Sequence, residues 1–595
     1  MNGLDLAVVG NCNFSALIDR AATVVWACLP RVDGDPVFCS LLNGGATADG
    51  FGFFEMALDG YAHSDQAYVP NTAVLRTTMR DTAGNAVQVT DCVPRFRQFG
   101  RFYRPSMLVR HIVPIAGTPR IRVRLRPASD YGARRPTISY GSNHIRYIME
   151  PVTLRLSTDV PLTYVVDESA FRVERPLTMI LGPDETLTRG IADTARDFIE
   201  RSITYWREWV RYLSIPFEWQ EAVIRAAITL KLCNFEETGA IVAALTTSVP
   251  EIAGSIRNWD YRYCWLRDAY FVVRALNRLG ATLTMENYLG YLGNVIASSN
   301  DGRLQPVYGV GLESTLTERE QPGLIGYRGM GPVRTGNQAY AHVQHDVYGS
   351  VVMATAQSFF DQRLERIGDV SAFHQLERIG EHAVAVYDRP DAGLWEYRTI
   401  ARVHTFSAAM CWAACDRLAR IAERLAIPGR AAYWRAHADS LHGNIARNAW
   451  NASINSFVSY FGGADVDASL LLLHELGFLA ADDPRFAATV DSVAARLKRG
   501  NFLMRYAERD DFGVPKNAFL VCTFWYVEAL AALGRHNEAR ELFENTLAHR
   551  NHLGLMSEDI DPASGELWGN FPQTYSLVGL ISAALRISKS WEDAF

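Results

Sequence analysis

The sequence predicts a multidomain β-plus-α protein, an N-terminal antiparallel β-sandwich followed by an (α/α)6 barrel. Three observations carry that expectation. Apolar and polar residues alternate with period two in short runs over residues 1–185. Beyond that point the apolar spacing turns helical in twelve successive segments. The connections between those segments alternate between long and short. With 595 residues, the chain also exceeds the roughly 250–300 that one core accommodates.

The β part comes first. Residues 8–10, 24–26 and 37–38 are short apolar runs between Gly, Pro and Asp turns. Residues 107–113, 121–126 and 152–156 alternate with period two, which places one face on a core and the other in water. This predicts a sandwich domain over 1–187. Residues 191–213 then put Ile191, Ala195, Phe198, Ile199, Ile203, Trp206 and Val210 on one helical stripe, and Ser214-Ile215-Pro216 stops it. A linker helix is expected within 188–214.

The remainder, 215–595, reads as a helical domain. Helices are expected near 218–236, 265–279, 284–299, 338–360, 373–388, 406–426, 430–448, 467–479, 485–499, 518–533, 536–549 and 572–587. Twelve helices form six antiparallel pairs, and closing the pairs into a ring gives the barrel. Periodicity does not by itself establish the closure.

Composition excludes several functions. Apolar content of 48% and charged content of 21% describe an ordinary globular chain. A net charge of −6 with no Lys/Arg-rich run argues against a nucleic-acid partner. The N-terminal stretch has neither a basic region nor a long apolar core, and no 18-residue apolar span occurs, so neither a signal peptide nor a membrane partner is expected. The nine cysteines are scattered, odd in number and without CxxC, which suits free thiols in a cytoplasmic protein. No GxGxxG or GxxxxGK loop, HExxH or GxSxG appears. No cofactor and no metal is expected, and His345 and Asp346 read as structural polar residues. Oligomeric state has no legible code, and a homo-oligomer is compatible with the sequence.

The connections carry the chemistry. In a ring of antiparallel pairs, every connection from an odd to an even helix emerges at the same end. Those connections hold residues 255–263, 326–329, 393–398, 460–463, 505–511 and 554–562. Long loops in compact domains usually have a functional reason. Together they bring carboxylates (Asp260, Asp268, Glu396, Glu508, Asp511, Glu558), arginines (Arg262, Arg267, Arg328, Arg505) and aromatics (Trp259, Tyr261, Trp265, Tyr327, Trp395, Trp568) to one mouth. That mixture suits a sugar. Aromatic faces pack on the C–H faces of a pyranose, and charged groups hydrogen-bond its hydroxyls. Two carboxyls then do the proton work of glycosidic cleavage.

Specific stretches sharpen the reading. Trp265-Leu266-Arg267-Asp268, Leu394-Trp395-Glu396, Met556-Ser557-Glu558 and Arg505-Tyr506 all fall at the expected mouth. On these the chain resembles glycoside hydrolase family 15, the glucoamylase-like exo-α-glucosidases, and in particular its bacterial trehalase-like members. The resemblance spans almost the whole chain and implies the same order of sandwich and barrel. It implies that Glu396 is the general acid and Glu558 the general base of an inverting hydrolase releasing β-glucose from small α-glucosides. It also implies that Arg267 and Asp268 clamp the outer hydroxyls of the non-reducing glucose. Substrate contact is expected from Trp259, Asp260, Arg262, Trp265, Tyr327, Arg328, Trp395 and Arg505 as well. Two departures stand out. Glu396 is followed by Tyr397-Arg398 rather than by the second carboxylate of fungal glucoamylases, and Asp559 and Asp561 adjoin the base. No starch-binding module follows the barrel, so trehalose-, isomaltose- or maltose-type substrates are expected.

Two other readings stay open at this level. An inverting phosphorylase of similar architecture would use phosphate in place of the second carboxylate, so Glu558 argues against it. A non-catalytic sugar-binding protein would keep the aromatics and Arg267 but need neither carboxylate.

Overall fold

The computed structural model describes residues 3–299 and 302–594, so the outermost ends of the expected domains, 1 and 595, lie outside the described residues. Two antiparallel sheets come first. The seven-stranded sheet runs in spatial order Ala7–Gly10, Ser15–Ile18, Val24–Leu29, Phe53–Leu58, Arg120–Arg126, Phe171–Arg172, with Asp35–Phe38 also on Val24–Leu29. The eight-stranded sheet runs Thr137–Tyr140, His144–Ile148, Thr153–Thr158, Leu177–Pro183, Leu108–Ala116, Ala86–Cys92, Leu75–Asp81, Tyr61–Tyr68. They share one apolar core, to which Val9, Ile18 and Val123 come from one sheet and Val89, Leu108 and Leu156 from the other.

The expected alternation holds, but its outer face is not uniformly wet. Ile121, Val123 and Leu125 point into the shared core, with Arg122 and Arg124 outside it. On Leu108–Ala116, Leu108 and Ile112 point inward, while Val109 joins Ile180 and Cys92 on the opposite face. That face is covered by a helix. After the short α1 (Leu162–Val166), α2 (Ile191–Arg211) lays Ile191, Ala195, Phe198, Ile199 and Ile203 over it. Trp206 and Val210, further along the same stripe, enter the core of the helical region.

The helical region contains α3 (Gln220–Leu232), α4 (Leu266–Arg278), α5 (Thr282–Ser298), α6 (Asp346–Ala356), α7 (Val370–Val386), α8 (Thr405–Arg424), α9 (Pro428–Ala449), α10 (Leu472–Glu475), α11 (Pro484–Leu497), α12 (Leu520–Ala532), α13 (His536–Leu547) and α14 (Thr574–Ile587). Two expected helices are shorter than their apolar runs. The segment 338–360 opens with a separate 3-10 turn, Gln338–Ala341, and α6 begins only at Asp346. The segment 467–479 reduces to a 3-10 turn, Ala468–Leu471, followed by the single turn of α10. Buried loop residues are as apolar as helical ones, so periodicity overruns the true ends there.

The even-numbered helices α4, α6, α8, α12 and α14 are buried around most of their circumference, whereas α7, α9, α11 and α13 bury one stripe. All-round burial marks an inner helix, and a stripe an outer one. The even helices pack in succession, α4 on α6, α6 on α8, α8 on α10, α10 on α12 and α12 on α14, and α14 returns to α4. Gly349 shows how close the approach is, because a Cβ there would stand 2.3 Å from the Met410 carbonyl oxygen. Local signals end the outer helices. Asp369 caps α7 through the Ala372 amide, and Asp483 caps α11, with Pro484 at its first position. Helix α3 is buried more than other outer helices because the sheets cover it; Cys12 Sγ donates to the Lys231 carbonyl (3.1 Å), and Arg225 Nη2 to that of Thr72 (2.9 Å).

Candidate active site

One pocket of about 910 Å³, measured out to its open mouth, sits at the end where the connections into the even helices emerge. The α3–α4, α5–α6, α7–α8, α11–α12 and α13–α14 connections all line it. The α9–α10 connection does not. Its Tyr460 instead carries the Arg402 guanidinium 4.0 Å above its ring and donates to Asp465 (3.3 Å).

Glu396 and Glu558 both face the pocket, each held by an aromatic donor. Trp265 Nε1 donates to Glu396 Oε1 (2.6 Å), and Tyr261 Oη donates to Glu558 Oε1 (2.7 Å). Glu396 takes its place through an unusual backbone. Its φ of +59° lies in the left-handed region, directly after the Gly393 turn, a conformation that non-glycine residues hold only where surrounding structure enforces it. Glu558 is fixed from behind by Gly569, whose φ is +77°; a Cβ there would stand 2.6 Å from Glu558 Cβ.

Arg267 lies among three carboxylates, 3.4 Å from Asp268, 3.5 Å from Glu396 and 3.6 Å from Asp346. Gln344 bridges the group, accepting from Arg267 Nη1 (2.9 Å) and donating to Glu396 Oε1 (3.1 Å). Burial pushes the Asp268 carboxyl up to about 6 against the pull of Arg267, with Glu396 and Asp346 adding to the rise. Tyr575 Oη, at the pocket, is buried without a hydrogen-bond partner among the described residues, and Arg267 Nε and Asp268 Oδ2 meet only as an ion pair at 3.4 Å, without a hydrogen bond. Unpaired buried polar atoms cost about 1–3 kcal/mol each, so a ligand bearing hydroxyls has groups waiting for it.

A second charged cluster surrounds Glu558. Arg505 pairs with Glu251, and Arg257 pairs with Asp510 and lies 3.8 Å from Glu251. Burial raises the Glu558 carboxyl, Asp559 and Glu251 raise it further, and Arg505 and the Tyr261 hydroxyl oppose them. Asp559, buried with both oxygens unpartnered, is pushed up to about 8. Two adjacent buried carboxyls do not readily ionise together. Tyr261 donates to Glu558, whereas nothing described donates to Asp559.

Of the expected substrate contacts, Trp259, Trp265, Arg267, Asp268, Trp395 and Arg505 line the pocket with the two glutamates. Asp260 and Arg262 do not. They form a fully buried ion pair at 2.8 Å, and Arg262 reaches back to the Gly34 carbonyl (2.6 Å) and the Tyr131 hydroxyl (3.2 Å) in the β region. Tyr327 and Arg328 are also displaced, because their loop docks on the β region through the Gly326 amide and the Leu42 carbonyl. Arg328 pairs with Glu566 and lies over Trp568, which Tyr327 meets edge-on. Glu251, Gln344 and Tyr575 were not singled out from the sequence. Each stands in an apolar or neutral stretch with no motif, and only Gln344 had a nearby signal, the polar His345-Asp346 pair.

Among the described residues no group of three or more His, Cys, Asp or Glu is arranged to hold a metal ion, and no helix is long and apolar enough to cross a membrane.

Residues 219–585 match the family described as glycosyl hydrolases family 15, and residues 5–169 match the trehalase-like N-terminal family. The chain is 32% identical to a trehalase of Mycobacterium tuberculosis over 99% of this chain and 90% of that protein. It is 30% identical to a trehalase of Thermoplasma volcanium over 98% of this chain and 93% of that one. A crystal structure of a bacterial glucoamylase complexed with acarbose superposes with a TM-score of 0.69, covering 98% of this chain and 94% of that chain at 14% identity, a likeness of fold.

Proposed function

The chain belongs to glycosyl hydrolases family 15 and is a glycoside hydrolase; from that premise we propose that it hydrolyses α,α-trehalose, attacking one glucose unit from the open end with inversion. The observation that carries the reading is the placement of Glu396 and Glu558 in one pocket, on separate aromatic donors, beside the Arg267–Asp268 ion pair and the unpartnered Tyr575 hydroxyl. The name shared by the relatives supports trehalose over other small α-glucosides.

In this reading one glucose enters the floor of the pocket. Arg267 and Asp268 take its outer hydroxyls, while Trp265 and Trp395 supply apolar surface and Trp259 stands nearer the rim. Arg505 holds the Glu558 side of the pocket in charge balance. Protonated Glu396 gives its proton to the glycosidic oxygen as the C1–O bond breaks. Ionised Glu558 takes a proton from the water whose oxygen attacks C1 from the opposite face. Inversion needs carboxyls roughly 6.5–9.5 Å apart so that the water fits, against about 5–5.5 Å for retention. That each carboxyl rests on its own ring, with the Trp265 and Tyr261 ring centres 5.5 Å apart, supports the wide spacing.

The same reading extends to architecture. Residues 1–187 form a β-sandwich domain, 188–214 a linker helix and 215–595 an (α/α)6 barrel, which the return of α14 to α4 supports. The nine cysteines, all free and buried, suit a reducing cytoplasm. The test is direct. Purified protein should release glucose from α,α-trehalose without added phosphate, and Glu558→Gln should abolish the release. Glucose 1-phosphate among the products, or an unaffected variant, would overturn the proposal.

A further inference from the structure

The pocket lining sorts by depth. The Arg267 side chain at the floor is 9% exposed and that of Arg398 at the rim 28%. Trp259, Phe512 and Asp511 share the rim with Arg398. A site that takes the outer glucose into its floor leaves the departing group at the rim, on the side where Glu396 delivers its proton. We propose that Arg398 binds the leaving sugar and is the residue that makes the site selective for a hydroxyl-rich aglycone. This deepens the function proposed above and rests on the role given to Glu396.

Three features support it. Arg398 follows Glu396 by two residues, and its backbone is clamped, because its amide donates to Asp511 Oδ2 (2.7 Å) and the Thr399 amide to Asp511 Oδ1 (3.1 Å). The loop that carries the acid is thereby fixed to the loop across the rim. The guanidinium is also oriented in advance. It lies 4.4 Å from the Trp259 ring centre and 5.4 Å from that of Phe512, and Nη2 donates to Glu318 Oε2 (2.9 Å). Glu318 is in turn 3.5 Å from Arg334. Stacking and one ion pair hold the group without saturating it. A guanidinium has five N–H donors, and that to Glu318 is its one hydrogen bond among the described residues. The remaining donors form a planar fork at the pocket rim, and such a fork can donate to two neighbouring hydroxyls of a sugar. Little side-chain freedom is left to lose on binding.

Comparing α,α-trehalose with α-glucosyl fluoride isolates the effect, because the fluoride offers the same glucose to the floor but no sugar to the rim. Arg398→Ala should lower kcat/KM on trehalose by about 10- to 100-fold, the scale of a lost charged hydrogen bond, carried largely by KM. On the fluoride the change should stay below about threefold, since no contact made there is lost. Equal losses on both substrates would show that Arg398 only shapes the Glu396 loop, and no loss on trehalose would show that it touches nothing; either result overturns the proposal. Arg398→Lys, which keeps the charge and the stem, serves if the alanine variant does not fold. It should lose activity on trehalose selectively, and wild-type rates on both substrates would count against the proposal. If the unaltered protein turns over neither substrate, the functional reading fails instead.

Discussion

Trp265 and Tyr261 meet edge to face with ring centres 5.5 Å apart, and each donates a hydrogen bond to a different glutamate, Trp265 to Glu396 and Tyr261 to Glu558. Packing of one aromatic pair therefore sets the relation between the two carboxyls. Neither glutamate is positioned by the other's loop. Each is placed by a ring anchored in the α3–α4 connection.

Glu396→Gln and Glu558→Gln should each lower turnover of trehalose by at least ~10²-fold, the usual scale of a lost acid or base. Steady-state assays of folded variants, checked by circular dichroism, decide this. Near-normal turnover in either would remove that residue from the mechanism. Glu396→Gln should retain most activity on α-glucosyl fluoride, whose leaving group needs no proton.

Arg267→Ala should weaken the transition state by about 2–5 kcal/mol, as expected when a buried charged partner is withdrawn from hydrogen-bonded groups. The ratio of kcat/KM values gives that figure. A change under tenfold would make Arg267 a structural residue that only separates Asp268, Asp346 and Glu396.

The pH profile should respond in opposite directions to two neighbours of Glu558. As base, Glu558 works ionised, and its carboxyl is held above the ordinary range, so kcat/KM should rise with pH through that elevated value. Glu251→Gln removes a like charge and frees Arg505, so the acidic limb should move to lower pH. Tyr261→Phe removes the donor that favours the ionised form, so the limb should move to higher pH. Shifts of the same sign in both variants would contradict the assignment of the limb to Glu558.

Arg262→Ala should behave as a stability variant. It leaves Asp260 unpaired in a fully buried site, an event that typically costs about 3–5 kcal/mol. Thermal melts should show the loss, while kcat/KM measured well below the transition should stay within about threefold of the parent. A selective loss of substrate affinity would restore Arg262 to the binding site.

Stereochemistry gives the most direct check on the carboxyl pair. Inverting hydrolysis of α,α-trehalose turns the attacked glucose into the β anomer and leaves the departing one as α. Proton NMR in the first minutes should show the two in equal amounts. Two equivalents of α-glucose would signify retention, and Glu558 would then be a nucleophile or a bystander.

The sequence by itself determined the order of the architecture and the chemistry of the mouth. Period-two alternation and helical stripes are local consequences of burying one face, so they are written in the residues that do the burying. The long connections, with their carboxylates, arginines and tryptophans, were equally legible, as were the stretches carrying Arg267, Glu396 and Glu558. What only the tertiary structure decided is which side of each connection faces the pocket. Along residues 259–262 the side chains alternate: Trp259 and Tyr261 turn to the pocket, while Asp260 and Arg262 turn inward to each other, with Arg262 reaching Gly34. The four residues are equally suited to a sugar, and their spacing is the same whichever pair turns in. The choice depends on where the β-sheets dock against the helices, and Tyr327 and Arg328 were drawn away by the same docking. Glu251 and Gln344 take their places from partners distant in the chain, Arg505 for the one and Arg267 and Glu396 for the other.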